Sequence, residues 1–295
     1  YMLFFTQKGK CFWMRVYEIP EGSKSSKGRA IQNLINIEQD DRVKAFICTQ
    51  DLKDEEYVNN HFVIMATKKG QVKKTSLEQY SRPRTNGINA ITIKEDDELL
   101  EAKLTTGDSQ VMLAVKSGKA IRFEEGKTRP MGRNASGVRG ITLADDNDEV
   151  VGMISVDDME SNILVVSENG YGKRSSLEDY RITNRGGKGV KTISITEKTG
   201  NLVAIKNVTD DDDLMIINKS GIAIRLEVSD LRVMGRATQG VRLINLKGKD
   251  SIAAVAKVLH EEDEIEVEDI EDVENPDNSG EALDGTDIVQ DDSEE

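Results

Sequence analysis

Val111-Met112-Leu113-Ala114-Val115-Lys116-Ser117-Gly118-Lys119-Ala120-Ile121-Arg122-Phe123 is an apolar run, a tight turn ending in glycine, and a second run that alternates. Alternation with period two suits a β-strand, and glycine supplies the positive φ of a primed hairpin turn. The same plan begins at residues 2–5 before Gly9, 62–66 before Gly70, 163–166 before Gly170 and 214–217 before Gly221. A second glycine follows each time, at Gly28, Gly87, Gly137, Gly189 and Gly240, at separations of 19, 17, 19, 19 and 19 residues. Such regularity marks an internal repeat.

Beyond the second glycine lies another apolar stretch, at residues 138–143, 190–195 and 241–246. A polar turn comes next, such as Asp40-Asp41, Asp96-Asp97 or Asp145-Asp146, and then a last apolar run at 43–47, 99–104, 150–154, 202–205 and 252–255. Helical periodicity is nearly absent. The chain therefore reads as all-β and propeller-like, with five four-stranded repeats at about 2–50, 62–106, 110–156, 161–208 and 213–258. The longest link, residues 51–60, reads as a polar surface loop.

Charge is distributed unevenly. Of the 54 acidic residues, 18 lie in Glu261–Glu295, which holds no Lys or Arg; residues 1–260 keep 36 acids against 40 bases. The net charge of −14 thus belongs to the tail, and the body is mildly basic. The division expected is a folded domain over 1–260 and a disordered acidic tail over 261–295, too polar to form a core. The tail reads either as a solubilising segment or as a tethered competitor for a basic surface. No apolar run approaches the roughly 20 residues that span a bilayer. Cys11 and Cys48 fit a reducing cytoplasm, and a start at Tyr1 reads as a piece of a longer protein.

The bases follow the repeat. One set trails the hairpin glycine: Arg15, Lys73 and Lys74, Arg122, Lys173 and Arg174, Arg225. Alternation with inward apolar neighbours predicts that these point outward. A second set surrounds the second glycine: Lys24, Lys27 and Arg29; Arg82 and Arg84; Arg129, Arg133 and Arg139; Arg181, Arg185, Lys188 and Lys191; Arg232, Arg236 and Arg242. Equivalent positions on successive blades make a belt, which suits a polyanion followed along a curve. Aromatic content of 4% favours duplex binding over base stacking on single strands.

Asn169-Gly170-Tyr171-Gly172-Lys173-Arg174, Met131-Gly132-Arg133-Asn134-Ala135-Ser136-Gly137-Val138-Arg139-Gly140-Ile141 and Val233-Met234-Gly235-Arg236-Ala237-Thr238-Gln239-Gly240-Val241 resemble repeats of the C-terminal domain of bacterial DNA gyrase A. Ala66-Thr67-Lys68-Lys69-Gly70-Gln71-Val72-Lys73-Lys74-Thr75 does too, and the resemblance spans about residues 2–258. It implies a β-pinwheel, a propeller whose neighbouring blades exchange strands, that wraps duplex DNA with positive handedness and presents a segment for strand passage. It also implies partnership with the rest of gyrase A and with gyrase B in an A2B2 enzyme that introduces negative supercoils. ATP, magnesium and the DNA-cleaving tyrosine are implied to lie elsewhere. The family has six blades with a glycine-rich basic box in the first. Five are visible, so the matching first blade is expected upstream of Tyr1. Asn184-Arg185-Gly186-Gly187-Lys188-Gly189 is the nearest local match, but it sits in the fourth repeat and is not equated with that box. The related C-terminal domain of topoisomerase IV, which lacks the box and serves decatenation, stays open as an alternative. So does a protein-interaction propeller with merely solvating bases.

No catalytic or metal constellation stands out. His61 and His260 are the two histidines. The glycine spacings 132–137 and 235–240 continue into Val-Arg and not into the Lys-Ser or Lys-Thr of a phosphate loop. Asp210-Asp211-Asp212-Asp213 lacks the glycine and closing Glu of a calcium loop. No catalytic role and no cofactor are expected for this chain.

Overall fold

The first repeat forms β1 (Met2–Thr6), β2 (Lys10–Met14) and β3 (Val43–Cys48). A short helix α1 (Glu55–Asn60) leads to β4 (Phe62–Thr67), β5 (Gln71–Ser76), β6 (Ile88–Asn89) and β7 (Leu99–Thr105). The third repeat supplies β8 (Gln110–Val115), β9 (Lys119–Glu124), β10 (Val138–Arg139) and β11 (Val150–Val156). The fourth supplies β12 (Asn162–Ser167), β13 (Tyr171–Ser176), β14 (Val190–Lys191) and β15 (Leu202–Val208). The last contains β16 (Asp212–Asn218), β17 (Ala223–Glu227), β18 (Val241–Arg242) and β19 (Ile252–Leu259). This computed structural model describes residues 1–23, 26–248 and 250–259. Lys24 and the acidic tail assigned to 261–295 lie outside the described residues.

Every glycine turn expected from the repeat joins an antiparallel hairpin, and all five turn glycines have φ between 79° and 87°. The closing strand of each repeat returns antiparallel to the first, with a register shift near its start. Such bulges increase local twist. The third strand shows the exchange that the resemblance to a β-pinwheel implies. It is two residues long and does not join its own repeat. Strand β6 pairs with β2, β10 with β5, β14 with β9 and β18 with β13. The sheet orders are β3-β1-β2-β6, β10-β5-β4-β7, β11-β8-β9-β14 and β15-β12-β13-β18, closing with a three-stranded β17-β16-β19.

The exchange explains the second glycine. An ideal Cβ on Gly137 would stand 2.5 Å from the Val72 carbonyl oxygen of the preceding sheet. Only a residue without a side chain lets the chain pass so close. At Gly28, in the first repeat, the same atom would meet open space.

Successive sheets stack face to face. Val63 and Met65 pack with Leu3 and Phe5 of sheet one, whereas Ile64 and Ala66 pack with Val111, Leu113 and Val115 of sheet three. Likewise Met112 and Ala114 face Ile163 and Val165, while Leu164 and Val166 face Leu214 and Ile216. Middle strands buried on both faces read as continuous apolar runs, which is why they lack alternation. The returning strands neighbour one another in the order β3, β7, β11, β15, β19, as the inner strands of a propeller-like array.

Residues 51–60 are not the plain surface loop expected. Asp54 caps α1 by accepting hydrogen bonds from the Glu56 and Tyr57 amides, at 3.0 and 3.1 Å. Leu52 and Val58 are buried in the core between the first two sheets. With Tyr57 half-buried beside them, three apolar residues among ten are too sparse to show a periodicity.

Candidate nucleic-acid interface

The exchanged segments carry a row of bases. In β10, β14 and β18 the second residue is Arg139, Lys191 and Arg242, placed opposite Gln71, Lys119 and Tyr171. All three bases are exposed. Arg242 lies against Tyr171, donating to its Oη from Nη2 at 2.7 Å and from Nε at 3.2 Å. Each segment hangs on the hairpin glycine of the sheet before it. The Gly70 carbonyl accepts from the Gly140 and Ile141 amides, and Gly118 and Gly170 do the same for Thr192-Ile193 and Leu243-Ile244.

The loops of neighbouring repeats are also joined. Thr92 N donates to Ala135 O at 3.2 Å, Thr142 N to Gly187 O at 2.9 Å and Ser194 N to Thr238 O at 3.1 Å. Arg185 Nη1 reaches the Arg139 carbonyl at 3.0 Å, and Arg236 Nη1 the Lys191 carbonyl at 2.8 Å. Both bases at each step thereby share one backbone frame.

Lys27, Arg29, Arg82, Arg84, Arg129, Arg181, Lys188 and Arg232 are exposed, while Arg133, Arg185 and Arg236 are half-buried. Arg82, Arg84 and Arg133 line a cleft of about 240 Å³ together with Glu78 and Gln79. Arg181 and Lys188 line one of about 260 Å³ with Thr183 and Asn184. The guanidinium groups in these clefts are donors of the kind that bind phosphate oxygens, with the Glu78 carboxylate opposing them in the first.

The bases after the hairpin glycine require a correction. Lys73, Lys74, Arg122, Lys173 and Arg174 are buried and do not point outward. Alternation separates two faces of one sheet, but in the middle sheets both faces are covered by neighbours, and the next repeat covers the outer edge. Lys73 Nζ donates to the carbonyls of Ala90 and Arg133, both at 2.5 Å. Burial, with Arg133 nearby, holds its pKa down to about 7. Lys173 Nζ donates to Gly235 O at 2.5 Å, and burial lowers its pKa to about 8. Arg122 Nη1 bonds the Leu177 and Tyr180 carbonyls at 2.8 and 3.0 Å. Arg174 bonds the Leu231 carbonyl and Asp210. Lys74 Nζ lies 3.2 Å from Glu125, whose side chain is wholly buried. These cations tie one repeat to the backbone of the next. They position the basic loops and are not free to meet a ligand. Arg225 is exposed but pairs with the buried Asp213 at 2.6 Å, and Arg15 is exposed beside Tyr1 and Tyr17.

Trp13 was missing from the expected set. It stands four residues after Gly9, as Lys74, Arg122 and Arg174 stand four after their glycines. Its Nε1 donates to Tyr80 O at 2.9 Å, much as Arg122 donates to Tyr180 O. The shared offset could have revealed it, but a search for charge passes over an indole.

Among the described residues no helix is long and apolar enough to cross a membrane.

The DNA gyrase C-terminal domain, beta-propeller, matches in five segments, residues 1–50, 61–106, 110–157, 161–209 and 212–258. The DNA gyrase A protein of Staphylococcus aureus (strain MRSA252) is 45% identical over 265 residues, 90% of this chain and 29% of that protein. The DNA gyrase A protein of Staphylococcus epidermidis (strain ATCC 12228) is 46% identical over 264 residues, 89% of this chain and 29% of the relative. The chain therefore spans less than a third of the length of these relatives. Among solved structures, the C-terminal domain of DNA topoisomerase IV superposes with a TM-score of 0.79 at 25% identity, covering 88% of this chain and 79% of that one. The DNA gyrase A C-terminal domain superposes with a TM-score of 0.75 at 25% identity, covering 88% and 82%. With its five repeats each matched in order, this chain belongs to the family of DNA gyrase C-terminal β-propeller domains.

Proposed function

We propose that this unit binds duplex DNA along the outer row of bases and bends it, presenting a segment for strand passage by a gyrase that introduces negative supercoils. One observation carries the reading. Exposed bases recur at equivalent positions of successive repeats, on exchanged strands whose loops are hydrogen-bonded end to end. Lys27, Arg29, Arg82, Arg84, Arg129, Arg133, Arg139, Arg181, Arg185, Lys188, Lys191, Arg236 and Arg242 make up the interface. Phosphate contacts supply most of the affinity. Bending 20–30 base pairs by 40–90° costs about 1–6 kcal/mol, which many weak contacts spread along a curve can offset.

The chain works as part of a bacterial cytoplasmic A2B2 enzyme. The rest of gyrase A, together with gyrase B, provides the catalysis, with ATP and magnesium bound there. Ligating nicked circles in the presence of the full chain at low salt should shift their linking number. No shift at any protein ratio would overturn the reading.

The topoisomerase IV likeness supports a second reading, in which the same surface selects DNA geometry for decatenation. Restoring this chain to its full-length polypeptide, with the ATP-hydrolysing partner, and comparing supercoiling with decatenation separates the two.

A further inference from the structure

Beside the bases lies a recurrent feature that charge does not explain. Lys74 bridges to Pro130, Arg122 to Ile182 and Arg174 to Val233, each as one isolated parallel pair. Three successive repeats thus place an apolar residue at one equivalent spot on the outer edge. Each is pinned by the following amide: Met131 N donates to Lys74 O, Thr183 N to Arg122 O and Met234 N to Arg174 O, all at 2.8 Å. Each is exposed; Ile182 retains 47% of its surface and Val233 51%. Each also follows an exposed arginine and stands three residues before another, in Arg129-Pro130 with Arg133, Arg181-Ile182 with Arg185 and Arg232-Val233 with Arg236.

Scattered exposed apolar residues are ordinary. Three at one structural position, on rigid backbone and flanked by guanidinium groups, call for a common partner that is both apolar and anionic. Duplex DNA has that chemistry. Its phosphates meet the arginines, while its minor-groove walls and base-pair faces accept an apolar side chain. Architectural proteins bend DNA in this way, with small apolar wedges that partly unstack a base step.

We infer that Pro130, Ile182 and Val233 are DNA-bending wedges, each entering the minor groove as it passes its repeat, with the flanking arginines on the adjoining phosphates. The inference rests on the duplex-binding reading above and adds to it the residues that deform the DNA. A wedge contributes only where the duplex is curved, whereas a phosphate contact contributes on any duplex.

The test compares the full chain with a Pro130→Ser, Ile182→Ser, Val233→Ser variant and with an apolar control, Ile182→Met, Val233→Met. The substitutions all lie at the surface, and thermal unfolding confirms equal folding before DNA is added. The triple variant should bind a straight 20-base-pair duplex within about twofold of wild type, with an unchanged salt slope. Its linking-number shift on nicked circles should fall by about half or more, and permanganate reactivity of unstacked thymines, present with wild type, should disappear. The methionine control should keep both signals.

Equal shifts and equal thymine reactivity in wild type and triple variant would overturn the wedges and leave duplex binding standing. An equal loss of straight-duplex affinity and of linking-number shift would also overturn them, showing plain contact area. Failure of the wild type to bind the straight duplex would overturn the binding reading itself, and the wedges with it.

Discussion

Sheets four and five are built from the same repeat but meet different surroundings. In sheet four, β13 is buried nearly throughout, and its outer edge is occupied by β18 and by the bridge from Arg174 to Val233. In sheet five, β17 alternates between exposed and half-buried residues, and no strand pairs with its outer edge among the described residues. Each strand has an arginine four residues after its glycine turn. Arg174 keeps 8% of its side-chain surface and Arg225 keeps 39%. The difference lies in the following repeat, which covers the first and not the second. Burial of a cation in this fold is therefore a property of the neighbouring repeat.

The largest test of that contrast is at the glycines. A Cβ on Gly240 would stand 2.4 Å from the Gly172 carbonyl oxygen, whereas one on Gly221 would meet nothing within 4 Å. Both have positive φ. Gly221→Ala should cost only the left-handed backbone penalty, about 1–2 kcal/mol. Gly240→Ala adds a clash with backbone and should cost about 3 kcal/mol or more in urea unfolding. Equal costs would mean that the exchanged strand does not hold sheet four together.

A smaller effect should separate the two arginines that reach the surface. Arg225→Ala removes the ion pair to the buried Asp213 and should lower stability by about 2–3 kcal/mol, with little change in the salt slope of DNA binding. Arg242→Ala should cost under about 1 kcal/mol of stability, yet reduce the slope by about 0.9, the value for one phosphate. A reversal of this pattern would move the interface from the exchanged strands to β17.

The smallest effect is the part of the alkaline pH dependence that comes from sheet four, beside a like contribution from the buried Lys73 of sheet two. Lys173 has its pKa lowered to about 8 in the folded chain, against about 10.4 for a free lysine. Between these values the unfolded chain binds more protons, so stability rises with pH from about 8 to about 10. Below pH 8 both states hold the proton and the cost of burying the charge is fully present. Lys173→Met should reduce that rise and leave the share of Lys73, as read from urea midpoints across the window. Ile224 occupies the same repeat position in sheet five, and Ile224→Met should leave the profile unchanged.

Much of this architecture is written in local pattern. Five glycine turns, the continuous apolar runs before them and the second glycine at a near-constant interval determined the hairpins, the number of repeats and the all-β class. Turn conformation and strand periodicity depend on neighbours a few residues away, which a linear reading can see. The exposure of most of the second set of bases was legible for the same reason, since loops around a glycine run near the surface, although Arg133, Arg185 and Arg236 end half-buried.

Only the tertiary structure decided where the third strand of each repeat pairs and which lysines and arginines are hidden. Val138-Arg139 has the same alternation whether it joins its own sheet or the preceding one. That choice rests on a backbone approach between residues 65 positions apart, from Val72 to Gly137. Lys73, Arg122 and Lys173 look like surface bases until the next repeat supplies the carbonyls that bind them. The repeat determined a row of cations, and the stacking of one repeat on another divided it into those that hold the blades together and those left facing solvent.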